Sequence, residues 1–154
     1  VVVEREPVAL VALGETYLVD VDGEVFKRAN LAADEVGDLP IITGIERDVF
    51  KARPEMKHTL RAILGLVARW QKDAVRPRVS EANLSGRGIT LFTRDGAIKI
   101  LLGHLREDDF DVRLARFDTV WATLKADERA QAHTIFLDSS THVDRVAVGL
   151  YGPR

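Results

Sequence analysis

The densest run of potential metal ligands in this sequence is Asp20-Val21-Asp22-Gly23-Glu24. Carboxylate oxygens are the ligands that Ca²⁺ prefers, so a calcium loop is the first chemistry to consider. The EF-hand pattern requires three acidic or amide positions before its glycine and a glutamate at position twelve, and the spacing here does not meet it. The Asp22-Gly23 pair instead suits the positive φ angles of a tight hairpin turn. The run therefore predicts a turn between two strands.

The histidines suggest a second kind of site, a zinc centre. A helical zinc site needs two histidines four residues apart, usually beside a glutamate. No pair in this chain has that arrangement, because the four histidines are scattered: His58, His104, His133 and His142. We therefore expect ordinary structural or exposed histidines, and no metal or cofactor.

A nucleophile or a pair of acids would be needed for hydrolytic chemistry. His142 follows Ser139-Ser140-Thr141, but the Gly-x-Ser-x-Gly turn of many hydrolases is missing, and loop hydroxyls usually cap turns. The cluster Glu107-Asp108-Asp109-Asp111 contains several carboxylates, yet consecutive helical residues point in different directions, and acidic residues favour a helix N-terminus. Neither pattern predicts an active site.

Composition excludes several other classes of protein. The 154 residues include 46% apolar residues, which is enough for one ordinary domain with a hydrophobic core. The 22 Lys and Arg residues nearly balance 24 Asp and Glu residues, so no basic field favours nucleic acid. There is no cysteine, which excludes disulfides and thiol chemistry within these residues. The chain starts within a β-prone run, Val1-Val2-Val3, without an initiator Met, and we interpret it as an excised fragment.

The first half of the chain is predicted to form strands and then a helix. Residues 17–20 and 24–26 form the hairpin, residues 27–38 form a surface loop, and residues 39–44 form a short strand typical of a sheet edge. Pro54 suits the first turn of a helix, and apolar residues then recur at spacings of three and four. This periodicity predicts an amphipathic helix over residues 55–72.

The second half predicts a meander, another helix and a closing hairpin. Strands over residues 78–84, 89–93 and 97–102 alternate with Gly-containing turns. A second amphipathic helix begins near residues 107–109 and ends near residue 125. Residues 133–137 and 143–150 then form the closing hairpin. The fold class is therefore α+β, a mostly antiparallel β-sheet domain with two amphipathic helices packed on it.

Several segments, taken together and in this order, resemble the extracytoplasmic part of the bacterial cell-division family FtsQ/DivIB. They extend over nearly the whole chain and are Val3-Glu4-Arg5-Glu6-Pro7-Val8-Ala9, Tyr17-Leu18-Val19-Asp20-Val21-Asp22-Gly23-Glu24-Val25-Phe26, Leu39-Pro40-Ile41-Ile42-Thr43-Gly44, Ile98-Lys99-Ile100-Leu101-Leu102-Gly103, Arg113-Leu114-Ala115-Arg116-Phe117 and Val146-Ala147-Val148-Gly149. The resemblance implies that residues 1–13 are the last strand of a POTRA domain and residues 14–151 are the β domain. A single membrane helix and most of the POTRA domain would lie upstream of this fragment.

The resemblance also implies a function. Members of the family are non-enzymatic scaffolds of the divisome that sit in the cell inner membrane, with this domain on the periplasmic side at the division septum. They bind the small proteins FtsB and FtsL, or DivIC and FtsL, and help to recruit and regulate septal peptidoglycan synthesis. The partner adds a strand beside the last strand of the β domain.

The implied docking strand extends from Val143 to Leu150. The predicted contact residues are Arg87, Ser139, Ser140, Val143, Arg145, Val146, Ala147, Val148, Gly149 and Leu150. Neither charge nor proline blocks the edge within residues 146–150, and an extended peptide can pair with such an edge. Without the resemblance, the same residues read as an ordinary terminal strand.

Two other functions are left open by the residues. A peptidoglycan-binding or peptidoglycan-processing module would need a cleft with convergent acids or a metal site. A general POTRA-type chaperone or transport module would have repeated POTRA units upstream.

Overall fold

The fold is described from a computed structural model that covers residues 5–30, 32, 36–94, 98–104, 106, 109–137 and 147–150. Its strands are β1 (Ala9–Leu13), β2 (Glu15–Val19), β3 (Val25–Arg28), β4 (Ile41–Thr43), β5 (Val79–Ser85), β6 (Gly88–Thr93), β7 (Lys99–Gly103), β8 (Ala132–Phe136) and β9 (Ala147–Leu150). Its helices are α1 (Arg47–Ala52), α2 (Glu55–Gln71), α3 (Phe110–Thr123) and α4 (Ala126–Gln131).

All of these strands belong to one sheet, in the order β3-β2-β1-β4-β5-β6-β7-β8-β9. Five of the neighbouring pairs are antiparallel, and the pairs β1–β4, β4–β5 and β7–β8 are parallel. The predicted α+β class, with a mostly antiparallel sheet, is confirmed.

One strand lies in a different place from the one that the sequence predicts. Strand β4 was expected at an edge, but it is parallel to β1 on one side and to β5 on the other. Its central residue, Ile42, is fully buried. The prediction was wrong because a three-residue strand with a proline before it resembles an edge strand, whereas Pro40 precedes the ladder and removes no donor from it.

The long helix α2 follows from its apolar periodicity. Its buried residues recur at three- and four-residue spacings and are Leu60, Ile63, Leu64, Leu66, Val67 and Trp70. They join a core to which α3 contributes Phe110, Leu114, Phe117 and Trp121. The predicted boundaries of the first helix agree with α2 to within one residue. The short helices α1 and α4, six residues each, were not predicted because neither has a buried residue to set a period.

An aromatic contact and an ion pair join the two long helices. The rings of Trp70 and Phe117 lie 4.4 Å apart between centroids, and Phe117 stacks on Trp121 at 5.5 Å. Arg76 follows α2 and donates two hydrogen bonds of 2.8 Å to the carboxylate of Asp118 on α3. This bidentate geometry fixes the end of α2 against α3.

The hairpin and meander predictions are confirmed. Strands β2 and β3 pair around the turn that contains Gly23, at φ 81°, and β5, β6 and β7 form three consecutive antiparallel strands. Strand β3 reaches Arg28, so the surface loop that was predicted over residues 27–38 starts later than predicted.

In the closing hairpin, residues 147–150 pair with β8, while residues 143–146 lie outside the described residues. Glu107 and Asp108 also lie outside them, and α3 begins at Phe110, after Asp109.

Two glycines give a matched test of this packing. Gly44 has a φ of 91°, and a Cβ there would lie 1.8 Å from the carbonyl oxygen of Leu84, whereas a Cβ at Gly65 would meet nothing within 4 Å. We expect Gly44→Ala to lower the free energy of unfolding by about 2 kcal/mol or more. We expect Gly65→Ala, in the interior of α2, to raise it by about 0.5–1 kcal/mol. Urea unfolding of both variants tests this pair, and equal effects would contradict the fold around β4.

Candidate protein-docking site

Strand β9 forms one edge of the described sheet. It pairs with β8 in the antiparallel register Phe136↔Ala147, Ile135↔Val148 and Thr134↔Gly149. No strand among the described residues pairs with its other side. Backbone N–H and C=O groups along such an edge can bond to an added strand.

The predicted contact residues fall into three groups. Ala147, Val148, Gly149 and Leu150 form β9. Ser139, Ser140, Val143, Arg145 and Val146 lie outside the described residues. Arg87 is exposed in the turn between β5 and β6. The nearer strand of that hairpin, β6, is three strand spacings from β9, or roughly 14 Å. The structure therefore does not bring Arg87 directly beside the edge strand.

The face of the sheet next to this edge carries an apolar patch that the sequence analysis missed. Ile135 and Leu137 are buried in the core, so the strand alternation turns Phe136, which lies between them, to the face opposite the helices. Phe136 is 38% exposed and pairs with Leu101 on β7, which pairs in turn with Thr90 on β6. The signal was available in the sequence as an aromatic residue out of phase with its buried neighbours.

A shallow groove continues the patch across the sheet. It has a volume of about 170 Å³ and is lined by Asn83, Ser85, Arg87, Thr90, Phe92, Lys99, Leu101 and Gly103. Its apolar side chains, Phe92 and Leu101, are half-buried, and its two cations, Arg87 and Lys99, are exposed. An amphipathic segment with apolar and acidic side chains suits such a surface, because the apolar contacts bury area and the cations attract carboxylates.

The candidate calcium run is a structural turn. The carboxylate of Asp20 accepts hydrogen bonds of 2.9 Å from the backbone N–H groups of Asp22 and Glu24, and a 2.6 Å bond from Arg5 Nη1. Burial of Asp20 raises its pKa, but these backbone bonds and Arg5 outweigh the burial and leave the pKa below its ordinary value. Asp20 thus closes the β2–β3 turn and ties Arg5 to it.

The other candidate chemical groups do not converge. His58 and His104 are exposed, and His133 lies 2.9 Å from the hydroxyl of Thr134 through its Nδ1. Ser139, Ser140, Thr141 and His142 lie outside the described residues. Within the part of the chain that the structure describes, no group of three or more His, Asp or Glu side chains could hold a metal ion. None of the helices described is long and apolar enough to cross a membrane.

These features define a two-layer α+β domain whose candidate site is an open strand edge with an apolar patch beside it. The comparisons with known proteins agree with this class. The family model described as "Cell division protein FtsQ/DivIB, C-terminal" matches residues 9–142, so the match begins at the first residue of β1. The chain belongs to the FtsQ/DivIB family of cell-division proteins.

Several named relatives support the same assignment. A "Cell division protein FtsQ" from Anaeromyxobacter sp. (strain K) is 40% identical over 155 residues, which cover 98% of this chain and 50% of the relative. The protein of the same name from Myxococcus fulvus is 34% identical over 99% of this chain and 52% of the relative. The one from Geotalea daltonii is 33% identical over 80% of this chain and 45% of the relative. The chain therefore spans about half the length of the curated relatives that it matches.

The Asp20 turn predicts a defined dependence of stability on pH. Because folding lowers the pKa of this carboxyl, its contribution is present above about pH 4, the unfolded value, and is lost as the pH falls through the folded pKa. We expect Asp20→Asn to flatten the fall in unfolding free energy between about pH 5 and pH 2. Urea unfolding across this range measures the slope. Asp22→Asn, which removes a neighbouring carboxylate and leaves Asp20 in place, serves as the control, and equal slopes in both variants would contradict the assignment.

Proposed function

We propose that this domain is a non-catalytic docking module of the cell-division machinery. It binds an extended segment of an FtsB-like or DivIC-like protein as an additional strand beside β9. The observation that carries the proposal is the position of β9, at an edge of the described sheet in a chain of the FtsQ/DivIB family. An FtsL-like protein is the expected second partner, bound together with the first.

The two edges of the sheet differ in a way that favours β9 as the docking strand. At the opposite edge, β3 carries the exposed cations Lys27 and Arg28, and Arg28 forms a 2.8 Å ion pair with Glu15 on β2. Charged side chains on an edge strand discourage pairing with another chain. Strand β9 has the sequence Ala147-Val148-Gly149-Leu150, which contains neither charge nor proline. An incoming strand therefore meets fewer obstacles at β9 than at β3.

The exposed patch on the sheet face supports a second set of contacts. A partner segment paired with β9 has its next residues within reach of Phe136, which lies one strand away. Phe136 is 38% exposed, and burying its ring against a partner favours binding. Aromatic residues often dominate the binding energy of an interface. The groove beyond Leu101 extends this surface toward Lys99 and Arg87. We therefore assign Arg87 to a distal contact with an acidic residue of the partner and not to the strand edge itself.

The predicted contacts before β9 complete the proposed site. Ser139, Ser140, Val143, Arg145 and Val146 lie in the sequence between β8 and β9. In the proposal, Val143, Arg145 and Val146 extend the docking edge toward the turn, and the serines contact the end of the added strand. These contact roles are supported by the family resemblance and by the position of the residues, which come directly before Ala147 in the sequence.

The proposed cellular setting follows from the family. In the whole protein, one membrane helix and a POTRA domain precede this domain, which lies on the extracytoplasmic side of the inner membrane at the septum. Residues 1–13 would then be the end of the POTRA domain and residues 14–151 the β domain. The scaffold helps to recruit and regulate the enzymes of septal peptidoglycan synthesis, and the domain itself performs no reaction.

A proline in β9 tests the docking edge. We expect Val148→Pro to weaken binding of a synthetic peptide from the C-terminal part of the organism's FtsB-like or DivIC-like protein at least tenfold. The ring removes one backbone N–H and obstructs the approach of the added strand. Isothermal titration calorimetry gives the Kd, and thermal unfolding shows whether the domain stays folded.

Val148→Thr is the matched control for this variant, because it keeps the N–H and the β-branched shape. It should bind the peptide with a Kd within about threefold of the original. If Val148→Pro is folded and binds as tightly as Val148→Thr, the partner does not dock at β9.

The patch beside the edge is tested by Phe136→Ala. Loss of an aromatic contact at an interface costs about 1–3 kcal/mol, so we expect the Kd for the same peptide to rise roughly five- to 150-fold. Val112→Ala on α3 removes another large exposed apolar side chain from the helical layer, and it should leave the Kd unchanged. Equal affinities of the two variants would show that Phe136 does not contact the peptide. The docking edge at β9 is tested separately by Val148→Pro.

A further inference from the structure

A second apolar groove lies between α2 and the first strands, far from β9. It has a volume of about 440 Å³, and its walls include Val8, Val21, Pro40, Leu64, Ala68 and Gln71. Strand β1, whose first residue Ala9 also lines the groove, is separated from β9 by six strand spacings, roughly 29 Å. The groove is therefore a separate surface, and what occupies it is independent of the docking of a partner at β9.

The rim of the groove exposes apolar side chains. Val21, in the β2–β3 turn, is 69% exposed, and Val8, just before β1, is 39% exposed. On the opposite wall, the exposed positions of α2 are Arg61, whose Nε donates a 3.0 Å hydrogen bond to the carbonyl of Asp22, and the small residues Gly65 and Ala68. A Cβ added at Gly65 would meet nothing within 4 Å. Small residues on a helix allow another backbone or side chain to approach closely. Contiguous exposed apolar side chains beside a helix with small surface residues are typical of a surface that another segment or domain covers.

One polar atom at the groove also lacks a partner. The side-chain oxygen Oε1 of Gln71 is inaccessible to solvent, and no hydrogen-bond donor among the described residues reaches it. Buried amide oxygens are nearly always paired, because leaving one unpaired forfeits its hydrogen bonds to water. Gln71 lines the groove, so rotation of its side-chain amide toward the groove would let a segment there supply the missing N–H or O–H donor.

The path of the chain indicates what fills the groove. Arg5 Nη1 bonds to Asp20 next to Val21, and the N–H of Val8 donates to the carbonyl of Val19 at 2.9 Å. These two contacts hold the start of the described chain at the rim of the groove. The relatives are about twice as long as this chain, so a protein of their length has a second portion of comparable size. A portion joined before Arg5 would emerge beside the groove, whereas one joined after β9 would start at the far end of the sheet.

We propose that, in the whole protein, the portion that precedes this chain packs into the groove of α2. It inserts small apolar side chains between Val21 and Ala68, and it donates one hydrogen bond to Gln71 Oε1 after that amide turns toward the groove. The groove is thus an internal interface that fixes the orientation of this domain relative to the portion before it.

Cysteine labelling tests this proposal with a closely matched pair of positions. This sequence contains no cysteine, and Val21 and Val75 are valines of nearly equal exposure, 69% and 70%. Val21 lines the groove, whereas Val75 lies in the turn after α2 and is not among the lining residues. In the whole protein, with any native cysteine outside this chain replaced, we expect a maleimide to react at Val21→Cys at least tenfold more slowly than at Val75→Cys. Equal rates would overturn the proposal.

Two further measurements identify the occupant. Ala68→Asp places a charge at an exposed helix position that lines the groove without filling it. Because burying that charge is unfavourable, the variant should release the preceding portion and bring labelling at the two positions to within about threefold. In the 154-residue chain alone the two rates should be equal. Slow labelling at Val21→Cys that persists in this chain alone would show that its own residues cover the groove, and protection that disappears on dilution would indicate a second copy. Either result would overturn the proposal.

Discussion

The contact between Trp70 and Phe117 is the interaction on which the arrangement of this domain depends. Both side chains are fully buried, and their rings meet at 4.4 Å between centroids. They come from α2 and α3, which are separated in sequence by the whole meander of β5, β6 and β7. Because the two helices meet through this contact, they form one layer on one face of the sheet, and Arg76 and Asp118 close that layer at its surface. Among the residues that the structure describes, the other face and both edges of the sheet are left without a helical layer or a further strand.

The helical layer explains why the candidate sites have the character that they do. Catalytic sites need polar groups that converge in a pocket. In this fold, the buried side chains between the helices and the sheet are mainly apolar. What remains accessible is a half-apolar sheet face, an edge strand without charge and a groove along the side of α2. These surfaces suit extended peptides and neighbouring domains.

The sequence predicted the elements well wherever the apolar pattern is long and regular. The period of α2, the alternation of the meander and the Asp22-Gly23 turn each come from local physical chemistry, and the structure has all three. The position of β4 was wrong because a strand of three residues carries too little pattern to show that both its sides are paired. The patch around Phe136 was missed for a related reason. Its two halves lie on β7 and β8, which pair in parallel and are connected in the chain through α3 and α4.

That parallel pairing also connects the proposed docking edge to the rest of the sheet. The β8–β9 hairpin is joined to the meander through the β7–β8 ladder and through the bond from the Leu137 N–H to the Leu101 carbonyl, at 2.9 Å. The described part of β9 is four residues long, so an added strand gains only a few backbone hydrogen bonds there, each worth about 0.5–1.5 kcal/mol net. Association of two molecules costs about 4–15 kcal/mol in lost freedom, which exceeds the contribution of those bonds. Stable docking at this edge therefore requires apolar contacts beyond the ladder, and Phe136 and Leu101 are the side chains that the fold places next to it.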